Sequence, residues 1–335
     1  MDTAFVSSTS PTLRHRPQAA VRAAAGLCAI AGVLWCSQRS EGIDLLRFPL
    51  AWGAMLLFFD ALVRLRHGAT PLHKVTDWAW ACGASIAFWD LFELLNLRLN
   101  NWWYVGEVDN RLGSALFSAV SFATVLPAIR LGEAWLANHP PAHALERVAR
   151  VLERPVARRK ALRLYLGGLT SLALALAFPK TFFPLAWLWV LPLAEGTMLL
   201  LGPRPLGALP SPLEALREGD SGYVLRLLAY AIPLGLVWEG LNWGCARGWF
   251  YTVPWFTDPR VFEMPLPGYL GYPPFLLEAA AVLSLAGRVR LRVSARAGVL
   301  LIVAVLGFHT VVDGLGKLHT SVDKKPWVAP WQTVR

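Results

Sequence analysis

Glu93 and Glu239 each stand three residues before an asparagine, Asn96 and Asn242, where a long apolar run ends: FWDLFELLNLRLNNWWY over 88–104 and VWEGLNWGCARGWFY over 237–251. Three-residue spacing returns to the same face of a helix, so each carboxyl projects beside its carboxamide. An ionisable group at the centre of a spanning helix costs at least about 2.5–3.5 kcal/mol, so it faces a partner or a cavity. A carboxyl held there beside an apolar molecule can give or take a proton. Each pair is followed by an aromatic triad, Trp102-Trp103-Tyr104 and Trp249-Phe250-Tyr251. Ring faces stabilise developing positive charge, and as a lid they would close a cavity; the same triads equally suit an interfacial belt. HTVVD adds His309 and Asp313, four apart and on one face. Glu239, Glu93, His309 and Asp313 are thus the catalytic candidates. Asn96, Asn242, Trp102, Trp103, Tyr104, Trp249 and Tyr251 are the substrate-binding ones. The plainer reading makes the Glu/Asn pairs interhelical glue.

Other acids frame this set. Asp90 lies one turn before Glu93, close enough to share a proton with it; Asp60 and Glu133 read as helix-terminal residues near arginine, while Glu195 and Glu278 sit deeper. His309 and Asp313 have ligand spacing, but a single histidine falls inside an expected span, so no metal is expected. No cofactor is expected either: Walker loop, GxGxxG, GxSxG, HExxH and selectivity-filter patterns are all missing from the sequence. The four cysteines show no paired spacing and read as small buried hydrophobes.

The elements that must position these groups are membrane helices. Of 335 residues, 55% are hydrophobic and 16% charged, against about 25% charged in soluble domains. The apolar residues form long blocks without strand alternation, which gives an all-α polytopic integral membrane protein. About nine segments are long enough to cross, near 20–38, 45–63, 77–97, 112–136, 161–178, 182–202, 223–244, 266–287 and 296–316. The net charge of +10 is spread over short loops, which excludes a nucleic-acid partner. Membrane lipids and a hydrophobic small molecule are the expected partners. The first block lacks a cleavage site and reads as a retained anchor.

Lys and Arg accumulate in the N-terminal tail (Arg14, Arg16, Arg22) and in alternate loops (Arg64, Arg66 and Lys74; 147–163; Arg204, Arg217 and Arg226; 288–296). The positive-inside rule puts the N-terminus in the cytoplasm of an inner-membrane protein, and nine crossings put the C-terminus outside. Lys317, Lys324 and Lys325 pull the other way, as an eight- or ten-helix count would. AHALERVARVLERPVARRK, over 142–160, reads as an amphipathic connector against anionic headgroups.

The chain also repeats itself. FPLAW occurs at 48–52 and 183–187, followed at equal distance by Asp60 and Glu195; then come the two Glu-x-x-Asn pairs, the two triads, and Pro127 before Glu133 against Pro273-Pro274 before Glu278. This order implies a tail (1–19), two parallel four-helix repeats (20–137 and 161–287) joined by a connector (138–160), a ninth helix (288–316) and a C-terminal tail (317–335). Parallel repeats related by an axis along the membrane normal face each other across a shared cavity.

VWEGLNWGCARGWFYTVPW followed by EMPLPGYLGYPPFLLE resembles membrane-embedded carotenoid hydratases and lycopene-cyclase-type proteins over about forty residues. The Trp238-Glu239 pair is similar to one in membrane-bound meroterpenoid cyclases, whose acids protonate an isoprenoid. Lycopene cyclases carry acids after the proline, and Pro265-Leu266-Pro267-Gly268 has none. The resemblance implies acid–base chemistry on an isoprenoid or lipid-like substrate. Two other readings stand beside it: a proton-coupled carrier, in which Glu195 and Glu278 matter as much as Glu239, and a non-catalytic scaffold.

Overall fold

Helix ends in this chain are fixed by residues with specific local chemistry. The computed structural model describes residues 16–106, 108, 110–137 and 161–323. Helix α1 is Arg16–Ser37, and α2 (Arg47–His67) stops at Gly68, whose φ of 76° a side chain would resist. Helix α3 (Val75–Leu99) starts where the Asp77 carboxylate accepts from the Lys74 amide at 2.9 Å, and ends at left-handed Asn100. Asn110 caps α4 (Arg111–Phe122) by accepting from the Gly113 amide. A two-residue turn then interrupts the expected segment 112–136, and α5 (Val125–Leu136) follows with Pro127 in its first turn; the two helices together still make one spanning stretch, Arg111–Leu136. Ser85 of α3 repairs the break, donating to the Phe122 carbonyl at 2.5 Å and accepting from the Leu126 amide at 3.0 Å.

In the second half, α6 (Ala161–Ala177) leads through a turn at Pro179–Phe182 and a 3-10 turn at Phe183–Trp187 into α7 (Val190–Leu201). The expected segment 182–202 is therefore bent, by 46°. Helix α8 (Ser221–Asn242) carries Pro233, and the 3-10 turn Leu266–Gly271 runs into α9 (Tyr272–Arg292), whose first turn holds Pro273 and Pro274. Helix α10 is Ala295–His319.

Helix α1 packs on α2, α6 on α7, α8 on α9, and α10 on α3 and α4, while α9 also lies against α3, α5 and α7. Trp52, Phe88, Phe92, Leu126, Leu227 and Leu276 are among the side chains sealed in one continuous core. The outer faces stay apolar: Leu162, Leu166 and Leu169 on α6, and Val299, Leu300, Val303, Leu306 and Val311 on α10, are exposed. Apolar surface of that extent fits lipid. Among the described residues, six helical stretches are long and apolar enough to cross a membrane, seven if the bent pair is one span; α6 is shorter, and α3 is not among the six. The protein is mostly helical and membrane-embedded.

The aromatic triads depart from an all-α fold. They form β1 (Trp102–Val105) and β2 (Gly248–Tyr251), which pair antiparallel, and β5 (Ser321–Val322) adds to β1 in parallel. A separate pair, β3 (Arg260–Val261) and β4 (Met264–Pro265), precedes α9. The first sheet gathers the C-terminal ends of α3, α8 and α10 at one end of the bundle. The tail to residue 15, the connector 138–160 and the stretch 324–335 lie outside the described residues.

Candidate functional site

Asn96 and Asn242 sit at the last turns of α3 and α8 and do the same job. The Asn96 side chain donates to the Trp102 carbonyl at 2.8 Å and accepts from the Asn101 and Trp102 amides at 2.8 and 3.3 Å. The Asn242 side chain donates to the Trp249 carbonyl at 2.8 Å and accepts from its amide at 3.0 Å. Both are fully buried. They tie each helix to the strand that follows it, a positioning job, and neither lines either of the two cavities that flank the strands.

That tie folds each triad back over the carboxyl one turn earlier. Glu93 Oε1 receives the Tyr104 hydroxyl at 2.5 Å, the Trp89 indole at 2.8 Å and the Trp102 indole at 3.2 Å. Glu239 Oε1 receives the Tyr251 and Tyr272 hydroxyls at 2.6 and 2.7 Å, and the Trp249 indole donates to the Tyr251 oxygen. In each carboxyl one oxygen is saturated; Glu239 Oε2 is buried without a partner. Burial first, then the neighbouring Glu93 or Glu239 carboxylate, pushes the Tyr104 and Tyr251 hydroxyls, both on the strands, well above the usual phenol range, so both remain donors.

The strands bring the two units together. Trp102 lies opposite Tyr251, Trp103 opposite Phe250 and Tyr104 opposite Trp249. Exchanging the triads leaves this register unchanged. Trp103 is a ladder residue and lines neither cavity.

Two cavities flank the units. The larger, about 80 Å³, is walled by Phe48, Tyr104, Phe117, Phe122, Trp238 and Trp249, and carries Glu93, Asp313 and Arg247. Phe48 meets Trp249 and Trp238 edge-on at 4.8 and 5.2 Å. The second, about 50 Å³, is lined by aromatic residues including Trp52, Trp187, Tyr251, Tyr272 and Phe275. Trp238 lines both. Of the four residues Glu93, Glu239, His309 and Asp313, Glu93 and Asp313 lie at the wall of the larger cavity, His309 stands behind them, and Glu239 lies behind Tyr251 and Tyr272 and reaches neither cavity.

His309 is buried between α3 and α4. Its Nδ1 contacts Asp90 Oδ1 at 2.8 Å, and its Nε2 contacts the Ala115 carbonyl at 3.1 Å and Ser118 Oγ at 3.0 Å. Ser118 also donates to Asp313 Oδ1. The chain Asp313–Ser118–His309–Asp90 thus starts at the cavity and ends in the core. Asp90 pairs with His309 and makes no hydrogen bond to Glu93. Among the described residues, no group of three His, Cys, Asp or Glu side chains is arranged to hold a metal.

The chain matches no family model, no curated protein and no solved structure.

Sequence reasoning missed Trp89, Ser118, Arg247 and Tyr272. Trp89 carries a signal, since it stands four residues before Glu93 on one face. Tyr272 and Ser118 reach their partners from other helices, and no spacing announces them. The remaining acids have other duties. Glu278 accepts from the Val190 and Leu191 amides at 2.7 and 3.3 Å, holding the N-terminus of α7. Glu195 accepts from Ser211 Oγ at 2.7 Å and the Leu213 amide at 2.9 Å, holding the short helix Pro212–Arg217. Asp60 pairs with Arg64, and Glu133 with Arg130.

Proposed function

We propose that this protein is an integral membrane enzyme performing acid–base chemistry on an isoprenoid or similarly lipid-like substrate. The observation that carries the reading is Glu93: a buried carboxyl in the wall of an aromatic cavity, with three donors on Oε1 and, among the described residues, no hydrogen bond to Oε2. Saturating one oxygen fixes the group and leaves the other to exchange a proton. The surrounding Phe, Tyr and Trp faces are suited to a carbocation formed by protonating a double bond. Glu93 therefore takes the leading role that sequence alone gave to Glu239, which is screened from both cavities. His309 and Ser118 position Asp313 on the same wall.

A carrier needs titratable groups along a path to the inner face. Glu195 and Glu278, the residues that reading requires, are committed to helix N-termini, which favours the enzyme. A scaffold explains the asparagines but leaves the cavity without a role.

The architecture belongs to the same proposal: two parallel four-helix halves related by a two-fold through the Trp103–Phe250 pair, nine crossings, and a cytoplasmic N-terminus. The self-consistent register of β1 on β2 supports the two-fold. Sheet β2-β1-β5 supports the crossing number, because the third, seventh and ninth segments must all end on one side.

The test is to purify the protein in mild detergent and identify retained molecules by mass spectrometry and absorption, for wild type, Glu93→Gln and Glu239→Gln. A hydrophobic, polyprenoid-like molecule in stoichiometric amount is expected, and incubated with fresh membrane extract its conversion should fall by about 10²–10⁴-fold in Glu93→Gln. A protein that purifies empty and moves protons in liposomes overturns the proposal in favour of a carrier.

A further inference from the structure

Once Glu93 has given up its proton, the charges in the larger cavity do not balance. Among the described residues lining it, Glu93, Asp313 and Arg247 are the charged ones. Arg247 Nε is anchored on the Gly106 carbonyl at 2.6 Å, and its guanidinium lies 5.8 Å from the Phe117 ring centre. No Arg247 contact to Glu93 or Asp313 is made. Lys317 is engaged with the Val108 carbonyl. His309, which reaches Asp313 only through Ser118, has its own carboxylate in Asp90. With both wall carboxyls ionised, the cavity is one positive charge short. Glu93 is only 4% exposed, and Asp313 Oδ2 is buried without a partner. Buried carboxylates are expected to be paired.

We infer that this cavity binds a ligand carrying one positive charge on an apolar skeleton, of the tertiary or quaternary ammonium class. A small inorganic cation would leave the aromatic walls unused. The trio Phe48, Trp238 and Trp249 forms a continuous aromatic wall, with ring centres 4.8 to 5.5 Å apart, and Tyr104 adds a further ring beside Glu93. Carboxylates combined with aromatic faces are the recognition chemistry of alkylammonium groups. The inference rests on the reading of this cavity as a ligand site and adds the sign of the ligand's charge. It also gives the enzyme reading an inhibitor, because an ammonium group reproduces the charge of a carbocation.

The experiment is native mass spectrometry of the full chain in nanodiscs, titrated with dodecyltrimethylammonium and with its uncharged carbon isostere, which carries a tert-butyl group instead. One-to-one binding is expected, with the ammonium preferred by about tenfold or more, a difference of about 1.4 kcal/mol. Glu93→Gln and Asp313→Asn should each reduce that preference, and Trp249→Leu should weaken the ammonium more than the isostere. Each variant is first shown monodisperse, and Asp313→Asn serves alone if Glu93→Gln fails to fold. Equal binding of the two probes overturns the charge inference and leaves a lipid cavity standing. A preference unchanged in Asp313→Asn also overturns it. Binding of neither probe overturns the ligand site itself.

Discussion

Asn96 and Asn242 separate positioning from chemistry at the scale of single residues. Each satisfies backbone groups of the strand after its helix, so replacing either with leucine strands buried amides and a carbonyl. A loss of about 1–3 kcal/mol is expected for each, read as a lowered unfolding temperature in detergent. Tyr104→Phe should behave differently. It removes one of three donors to Glu93 without changing the ring wall, so stability should hold while turnover of any retained lipid falls. Equal destabilisation by all three changes would make Glu93 a packing residue. The three-residue spacing made the shared face of Glu93 and Asn96 legible, because helix geometry alone decides it. The partners were not legible. Asn96 turned out to serve the backbone, and Glu239 drew Tyr272 from 33 residues downstream, which no local pattern encodes.

Elements here are joined by polar groups placed at their breaks. Ser85 bridges α4 to α5, and Glu278 holds the start of α7. Hydropathy marked the apolar runs but not the interruptions within them, since a window averaged over such a run does not register where the helix is interrupted. The role of Glu278 has a direct consequence. A carboxamide oxygen can accept from the Val190 and Leu191 amides as a carboxylate does, so Glu278→Gln should keep most of the stability, whereas Glu278→Leu should lose about 1–3 kcal/mol. A carrier that titrates Glu278 would instead lose transport in the Gln variant. Gly235 marks another junction. A Cβ there would lie 2.7 Å from the Tyr272 ring. Bare backbone at 235 lets that ring reach Glu239 one turn later, so Gly235→Ala should displace Tyr272 and raise the tyrosine's accessibility to chemical nitration.

At the scale of the whole molecule, the sheet β2-β1-β5 sets a parity rule. Strands β1, β2 and β5 follow α3, α8 and α10 directly, so those three helix ends share one side whatever the orientation in the membrane. The recurrence of FPLAW and of the Glu-x-x-Asn pair was legible because both stand in the sequence as strings. The pairing of the first triad with the second was not, because a strand pairing between residues so far apart in the chain leaves no local period. The rule is open to measurement in intact cells. Single cysteines are placed at Asn100, Thr252 and Asp323, and at Val75 and Leu206 near the opposite helix ends, after replacing Cys28, Cys36, Cys82 and Cys245. An impermeant maleimide should label the first three from outside and the last two only after lysis. Reversal of the whole pattern would overturn the positive-inside orientation and keep the fold. Labelling of Asp323 from the side opposite Thr252 would break the fold itself, because β5 could not then lie beside β1.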